Sequence, residues 1–331
     1  MTSVVVAGLG ETGIRTARQL LDTPTVERVY VAARTEAGAR EVAEALHDGA
    51  EPWVLSTDAA FPAGVDAIAS AVPAGADLAL ARAAIERGIP FASVTDQAQS
   101  LAALHGLDAR AHETNTSVLA GCGLAPGLAD VLVRHAAGVL DAVDEVHVAR
   151  FGVAGDACAD VARRAHREPS VEWRGRIVVN DRHRGPELVW FPDPVGAREC
   201  TLVAAGVEEL VAATPGVERV TVRLGEPLAR RFTPPNRRDP AAGFGAVRAE
   251  VWGWRGTERA TVVYGVIERT AVAAGTVLAI AAGWLAGALP DVGVREAGTR
   301  DLGTAVKPVP FLAELARRGV KAAVFEGVAV A

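Results

Sequence analysis

A two-part chain is what the sequence predicts: an α/β domain built on a doubly wound parallel sheet, then an α+β domain with a mixed or antiparallel sheet. Three observations carry this reading. From Val4 to Ala120 short apolar runs alternate with helix-like segments punctuated by Gly and Pro, the pattern of repeated βα units. Past Pro126 the pattern changes to alternating strands joined by turn signals, which implies antiparallel pairing. At 331 residues, 50% of them hydrophobic, the chain is long enough for about two domains with sizeable cores.

The first strand is the β-branched run Val4-Val5-Val6. It leads straight into Gly8-Leu9-Gly10-Glu11-Thr12-Gly13, and a helix-like segment, Ile14 to Leu21, follows. Strand, glycine turn and helix in that order form the dinucleotide-binding fingerprint of a Rossmann-type domain. Gly8 allows the tight turn, Gly10 lets a pyrophosphate approach the backbone, and Gly13 lets the helix pack close to the strand. Glu11, Thr12 and Gly13 lead into the helix N-terminus, where free N–H groups and the positive dipole end meet phosphate. The alternative is a glycine-rich turn with no ligand.

The alternation continues in order. Val29 to Ala33 is a strand, Glu36 to His47 a helix, Trp53 to Leu55 a short strand, and Asp66 to Val72 a buried strand. Asp77 to Arg87 is a helix, Pro90 to Val94 a strand, Ala98 to His112 a helix and Ser117 to Ala120 a strand. The linker candidate is Gly121 to Gly127. Leu128 to Leu140 then reads as a helix and Glu145 to Phe151 as a half-buried strand. Ile177 to Asn180 and Leu188 to Phe191 flank the turn signal Arg184-Gly185-Pro186. Arg219 to Leu224 is a strand, and Ala246 to Trp254 with Arg259 to Ile267 form a hairpin about Arg255-Gly256-Thr257. Arg230 to Gly245, rich in Pro, Gly and Arg, reads as a long loop, either a lid or a plain excursion. The tail has a helix, Pro310 to Gly319, and a strand, Lys321 to Phe325. The expected division is a nucleotide domain at 1–124, a second domain at 125–289, and a tail at 290–331 packed back on the first.

Composition excludes several classes. A net charge of −6 and 5% aromatic residues give no basis for nucleic-acid binding. The lysines are Lys307 and Lys321, so a Schiff-base lysine is absent from the first 306 positions. Three distant cysteines, Cys122, Cys158 and Cys200, argue against a disulfide framework and a metal site, and with no signal-like leader they point to the cytoplasm. Thr270 to Pro290 carries no charge, yet it is built largely of Ala and Gly with breaks at Gly275, Gly283 and Gly287. That composition suits a helix buried against a sheet better than a membrane span. No Ser-His-Asp order, HExxH or Walker lysine pattern appears.

The second strand decides the cofactor. NAD sites carry Asp or Glu at its end to bind the ribose 2′-hydroxyl; here the strand runs out as Ala33-Arg34-Thr35. Arg34 can pair with a 2′-phosphate through its planar fork, which predicts NADP, with NADPH preferred over NADH. The alternative for Arg34 is a surface ion pair. Ligands bind beyond the carboxyl ends of parallel strands, which brings in Val72, Pro73 and Thr95, although Pro73 and Gly75 are also ordinary turn residues.

Four blocks together resemble the saccharopine dehydrogenase-like family, on the saccharopine reductase and carboxynorspermidine synthase side. They are VVVAGLGETG (4–13), DAIASAVPAG (66–75), PFASVTD (90–96) and GCGLAPGLADVLV (121–133). In the last, Gly123, Pro126 and Gly127 match the Gly-x-x-Pro-Gly motif that opens the family's second domain. The resemblance implies a nicotinamide-binding domain, a mixed-sheet substrate and dimerisation domain, hence a homodimer, and reversible reduction of an imine formed from an amine and a carbonyl acid. Ala125 stands where family members often carry an acid, and the usual glycine pair after the second domain's first strand is loosened to Gly152-Val153-Ala154-Gly155.

Hydride transfer asks the protein for positioning, polarity and a proton source. Asp96, beyond a strand end near the expected nicotinamide, is the first candidate for polarising the C=N group; the alternative is an N-cap for the helix from Ala98. Cys122 is a second candidate, lying in the interdomain crossing; a small buried cysteine is its alternative. A carboxylate-bearing substrate should meet Arg, and Arg163 to Arg184 is the richest source, with Arg163, Arg164, Arg167, Arg174, Arg176, Arg182, Arg184, His166 and His183. His147, on a strand with Glu145, reads as a paired structural histidine. The expected function is an NADP-dependent oxidoreductase for an amino-acid-like imine or related carbonyl. The alternatives are a nucleotide-binding sensor without turnover and a C=C or C=O reductase.

Overall fold

The computed structural model describes residues 2–46, 48–55, 61–73, 75–180, 185–225 and 243–325. From the N-terminus it runs β1 (Thr2–Ala7), α1 (Glu11–Leu21), β2 (Val26–Ala33), α2 (Glu36–Leu46), β3 (Ala50–Val54), β4 (Ala67–Ser70), α3 (Asp77–Ile85), β5 (Phe91–Ser93), α4 (Ala98–His105), α5 (Asp108–Glu113) and β6 (Ser117–Ala120). There follow α6 (Leu128–Ala137), β7 (Ala142–Phe151), α7 (Asp156–Ala165), β8 (Ser170–Arg174), β9 (Ile177–Asn180), β10 (Glu187–Trp190), β11 (Ala197–Leu202), α8 (Val207–Ala213), β12 (Arg219–Gly225), β13 (Gly245–Arg255) and β14 (Glu258–Glu268). The chain ends with α9 (Thr270–Leu285), β15 (Gly298–Asp301), α10 (Leu302–Ala305), α11 (Pro308–Arg317) and β16 (Ala322–Phe325). Two compact units result, 1–123 with 271–319 and 124–270 with 320–331.

The first unit holds a seven-stranded, all-parallel sheet in the order β15-β6-β5-β4-β1-β2-β3. Strands β1 to β6 thus take the doubly wound order 3-2-1-4-5-6, and the order reverses between β1 and β4. Val4, Val5, Val6 and Ala7 are all fully buried, as a strand covered on both faces must be. Burying each valine side chain contributes about 1.5–3 kcal/mol. One face packs on Leu80, Ile85, Leu101 and Leu104 of α3 and α4. Helix α9 packs against α1: the Thr16 hydroxyl donates to the Gly275 carbonyl at 3.2 Å, and a Cβ on Gly275 would lie 2.8 Å from the Arg15 Cβ. Small residues along 270–290 therefore serve close helix packing, and among the described residues no helix is long and apolar enough to cross a membrane.

The second unit holds a nine-stranded mixed sheet, β10-β11-β12-β7-β13-β14-β16, with β8 also paired to β12 and β9 to β8. β7 and β12 run parallel and the remaining pairs are antiparallel. Val146, Val148, Val220, Val222, Val247 and Val251 are buried. On the opposite face of the same strands stand Glu145, His147, Thr221, Arg223, Arg248 and Glu250, together with the apolar Ala149, Phe151 and Ala246. Glu172, Thr221, His147 and Glu250 form one cross-strand row, because Thr221 is in register with both Glu172 and His147, and His147 with Glu250.

Several expectations need correction. α9 belongs with the first unit, although the expected second domain ran to 289. Of the tail, β15 joins the parallel sheet beside β6, while β16 pairs antiparallel with β14 in the second unit. The expected helix from Ala98 to His112 is two helices, interrupted at Gly106 and Leu107. Ile177–Asn180 and Glu187–Trp190 do not pair with each other: β9 pairs with β8 and β10 with β11. Most of the expected 230–245 loop, with Arg182, His183 and Arg184, lies outside the described residues.

Candidate functional site

The glycine turn sits at the reversal of strand order, between the carboxyl ends of β1 and β4. Each glycine has a separate physical reason. Gly8 has φ +90°, and a Cβ there would lie 2.6 Å from the Ala71 carbonyl oxygen, so the β1 turn lies directly on the segment leaving β4. A Cβ on Gly13 would lie 1.8 Å from the Gly8 carbonyl oxygen. A Cβ on Gly10 meets nothing within 4 Å. Space therefore demands glycine at positions 8 and 13 for the fold itself. At position 10 it leaves an open approach to the backbone.

Gly10 is also the N-cap of α1, in extended conformation with no side-chain cap. The N–H groups of Glu11, Thr12 and Gly13 begin the first helical turn, where no intrahelical acceptor exists. Gly10 and Glu11 are exposed. Uncapped N–H groups around an open cradle are the donors that a dinucleotide pyrophosphate would need.

Arg34 follows β2 directly and is exposed. Among the described residues it makes no ion pair or hydrogen bond. Thr35 accepts the Gly38 N–H on its side-chain oxygen at 3.3 Å, and its carbonyl accepts the Ala39 N–H at 3.1 Å. It thereby caps α2 and fixes the backbone that carries Arg34.

On the other side of the reversal, Val72 is half-buried beside Gly8: its backbone nitrogen is 2.8 Å from where a Gly8 Cβ would stand. Pro73 is exposed and accepts the Ala76 N–H on its carbonyl at 3.1 Å. Thr95 is buried, and its N–H donates to the Ser93 hydroxyl at 3.1 Å. Ser93 in turn donates to Asp77 at 3.0 Å. Asp77 and Ser93 were not among the residues the sequence singled out. Their signal is faint, one serine at the end of each apolar strand, ASA in β4 and ASV at β5, and an acid at the start of α3.

Asp96 is half-buried. The N-cap of α4 is Gln97 rather than Asp96, which displaces the capping alternative by one residue. Cys122 requires correction as a catalytic candidate. It is fully buried, its thiol faces the Leu119 carbonyl at 3.7 Å, and burial pushes the thiol far above the ordinary cysteine range. A fully buried thiol held protonated is a weak nucleophile and a weak acid. The packing alternative describes it.

In the second unit, two of the described Arg candidates are engaged by acids within their own elements. Arg163 is exposed and pairs with Asp160 on its own helix, while Arg174 reaches Glu172 at 3.1 Å in the β8–β9 hairpin. His166 shares a 2.7 Å hydrogen bond with the Thr201 hydroxyl. His147 is held by Thr221 at 2.8 Å and Glu145 at 3.1 Å, and burial followed by Arg223 holds its pKa down. These are the contacts of a structural histidine. A groove of about 750 Å³ at this end of the sheet is lined by Glu145, Trp173, Arg174, Glu218 and Arg219. The block Gly123 to Gly127 spans the boundary between the units. It carries a cis Ala125–Pro126 bond and Gly127 at φ +119°, whose N–H donates to Asp130 at 2.7 Å.

No protein-family model matches the chain, and no curated protein matches it. Solved structures do. Apo saccharopine dehydrogenase (L-Glu forming) from Saccharomyces cerevisiae superposes with a TM-score of 0.72 at 13% identity, covering 98% of this chain and 100% of that one. An amine dehydrogenase from Mycobacterium smegmatis gives 0.58 at 12% identity, covering 92% and 96%. C. glutamicum DAP dehydrogenase in complex with DAP gives 0.53 at 14% identity, covering 96% and 99%. At such identities the likeness is one of fold: this chain has the architecture of these dehydrogenase structures, a Rossmann-type parallel sheet accompanied by a mixed-sheet unit.

Proposed function

We propose that this chain is an NADP-dependent oxidoreductase that reduces an imine, or a related carbonyl, of an amino-acid-like substrate. The observation that carries the reading is the open glycine turn at the strand-order reversal, with uncapped N–H groups at α1 and, at the end of β2, an exposed Arg34 with no partner among the described residues. The N–H groups of Glu11, Thr12 and Gly13 would hold the pyrophosphate, and Arg34, steadied by Thr35, the 2′-phosphate. Val72, Pro73 and Thr95 would line the half beyond β4 and β5. When bound, the reduced nicotinamide supplies the hydride.

Asp96 is the residue assigned to the proton at the substrate nitrogen. It follows β5 closely and belongs to the same set of carboxyl strand ends as the glycine turn. Cys122 takes no part. The dehydrogenase names of the neighbouring folds, two of them amino-acid-derived, support an amino-acid-like substrate. A homodimer through the second unit belongs to the same reading, supported by the exposed Leu188 and Trp190 on the edge strand β10. The test is NADPH oxidation across a panel of 2-oxo acids with and without amines. Oxidation that requires both is expected, and Asp96→Asn should abolish most of it. Oxidation with the 2-oxo acid alone makes the chain a carbonyl reductase, and an unimpaired Asp96→Asn removes that residue's role.

A further inference from the structure

Ser70 and Ser93, at the ends of β4 and β5, and Asp77, at the start of α3, are buried polar residues at the carboxyl edge of the sheet. Ser70 and Ser93 are register partners, and Ser70 is also the partner of Ala7, the residue before the glycine turn. Asp77 opens α3 and is only 2% exposed. An acid at a helix start is favourable through the dipole even in solvent, so helix formation does not require this one to be buried. Its burial carries a cost, which pushes its pKa up and is only partly offset by Ser93 and the backbone at Gly75, Asp77 and Leu78.

The bonds around Asp77 run in one direction. The Thr95 N–H donates to the Ser93 hydroxyl at 3.1 Å, and that hydroxyl donates to Asp77 Oδ2 at 3.0 Å. Each bond polarises the next. The Ser93 carbonyl accepts the Cys122 N–H at 2.7 Å, so the chain leaving β5 is tied to α3 on one side and to β6 on the other. Held in this way, Thr95 keeps its own hydroxyl without a hydrogen-bond partner among the described residues although the residue is buried, and the same is true of Ser70. Buried hydroxyls without partners are uncommon and call for one. In the doubly wound order the β1–β2–β3 half takes one mononucleotide and the β4–β5–β6 half the other.

We infer that Asp77, acting through Ser93, is a positioning residue for the nicotinamide half of the cofactor site: it fixes the Thr95 backbone so that the Thr95 hydroxyl can bond an amide or ribose hydroxyl group there. The inference rests on the NADP reading above. It assigns Asp77 no contact with the cofactor and no proton in the reaction.

The test is calorimetric titration of the folded full-length chain with NADPH and with adenosine 2′,5′-bisphosphate, which lacks the nicotinamide half. Asp77→Asn, Ser93→Ala and Thr95→Val should each weaken NADPH about 10-fold, the scale of one buried hydrogen bond, and leave the bisphosphate within about twofold. If Asp77→Asn does not fold, Ser93→Ala and Thr95→Val carry the same comparison. Equal weakening of both ligands would make the cluster a mere stabiliser of the unit and overturn the inference, as would variants that bind both ligands like the wild type. Failure of the wild type to bind either ligand would instead remove the NADP reading, and the inference with it.

Discussion

Gly10 and Gly13 are three residues apart in one motif, yet they answer to different forces. The Gly13 Cβ position is occupied by the Gly8 carbonyl, whereas the Gly10 position is open. Gly13→Ala should therefore cost about 3 kcal/mol or more of stability, measured by chemical denaturation. Gly10→Val should leave stability within about 1 kcal/mol and abolish binding of both NADPH and NADH. The reverse pattern would mean that the turn is not a phosphate cradle. The cysteines allow a second check at this scale. Burial pushes Cys200 up to about 12 and Cys122 higher still, so both are protonated at pH 8 and enclosed. Only Cys158, half-buried on α7, should react with a thiol reagent in the native protein, and all three after denaturation. Rapid native labelling of Cys122 would restore it as a reactive candidate. The glycine turn was legible in the sequence because its signal is local: a turn between a strand and a helix. The Asp77–Ser93 bond was not, because it joins residues 16 apart on different elements, and no local pattern encodes that pairing.

At the scale of elements, legibility followed periodicity. The β13–β14 hairpin was plain from its alternation and its Arg-Gly-Thr turn. By contrast β11, ARECTL, carries too few apolar residues for its period to stand out, and α7, DACADVARRA, has Val161 as its one large apolar side chain. α9 shows the opposite failure. It is apolar on every side, so no amphipathic stripe says what it packs against, and its place after a hairpin assigned it to the wrong unit. The contact itself is specific: Gly275 faces Arg15 and Thr12 of α1. Gly275→Leu should destabilise the first unit by about 1–3 kcal/mol through overpacking against the helix that bears the glycine turn. Thermal unfolding followed by circular dichroism measures it, and an unchanged midpoint would contradict the packing described.

For the whole molecule, the doubly wound class was readable but the strand order was not. Alternating β and α segments imply a parallel sheet, and right-handed crossovers restrict its topology. The return of β15 to the edge beside β6, more than 170 residues away in sequence, depends on a non-local pairing. That topology is what gives the glycine turn its meaning, because it places the turn where the strand order reverses. The central claim is that this turn and Arg34 together bind NADP. Separate calorimetric titrations with NADPH and NADH, on the wild type and on Arg34→Ala, test it most directly. The account predicts NADPH at least about 10-fold tighter than NADH in the wild type, and loss of that preference in Arg34→Ala with NADH affinity retained. Binding of neither cofactor by folded protein, or equal affinities that Arg34→Ala leaves unchanged, would contradict it.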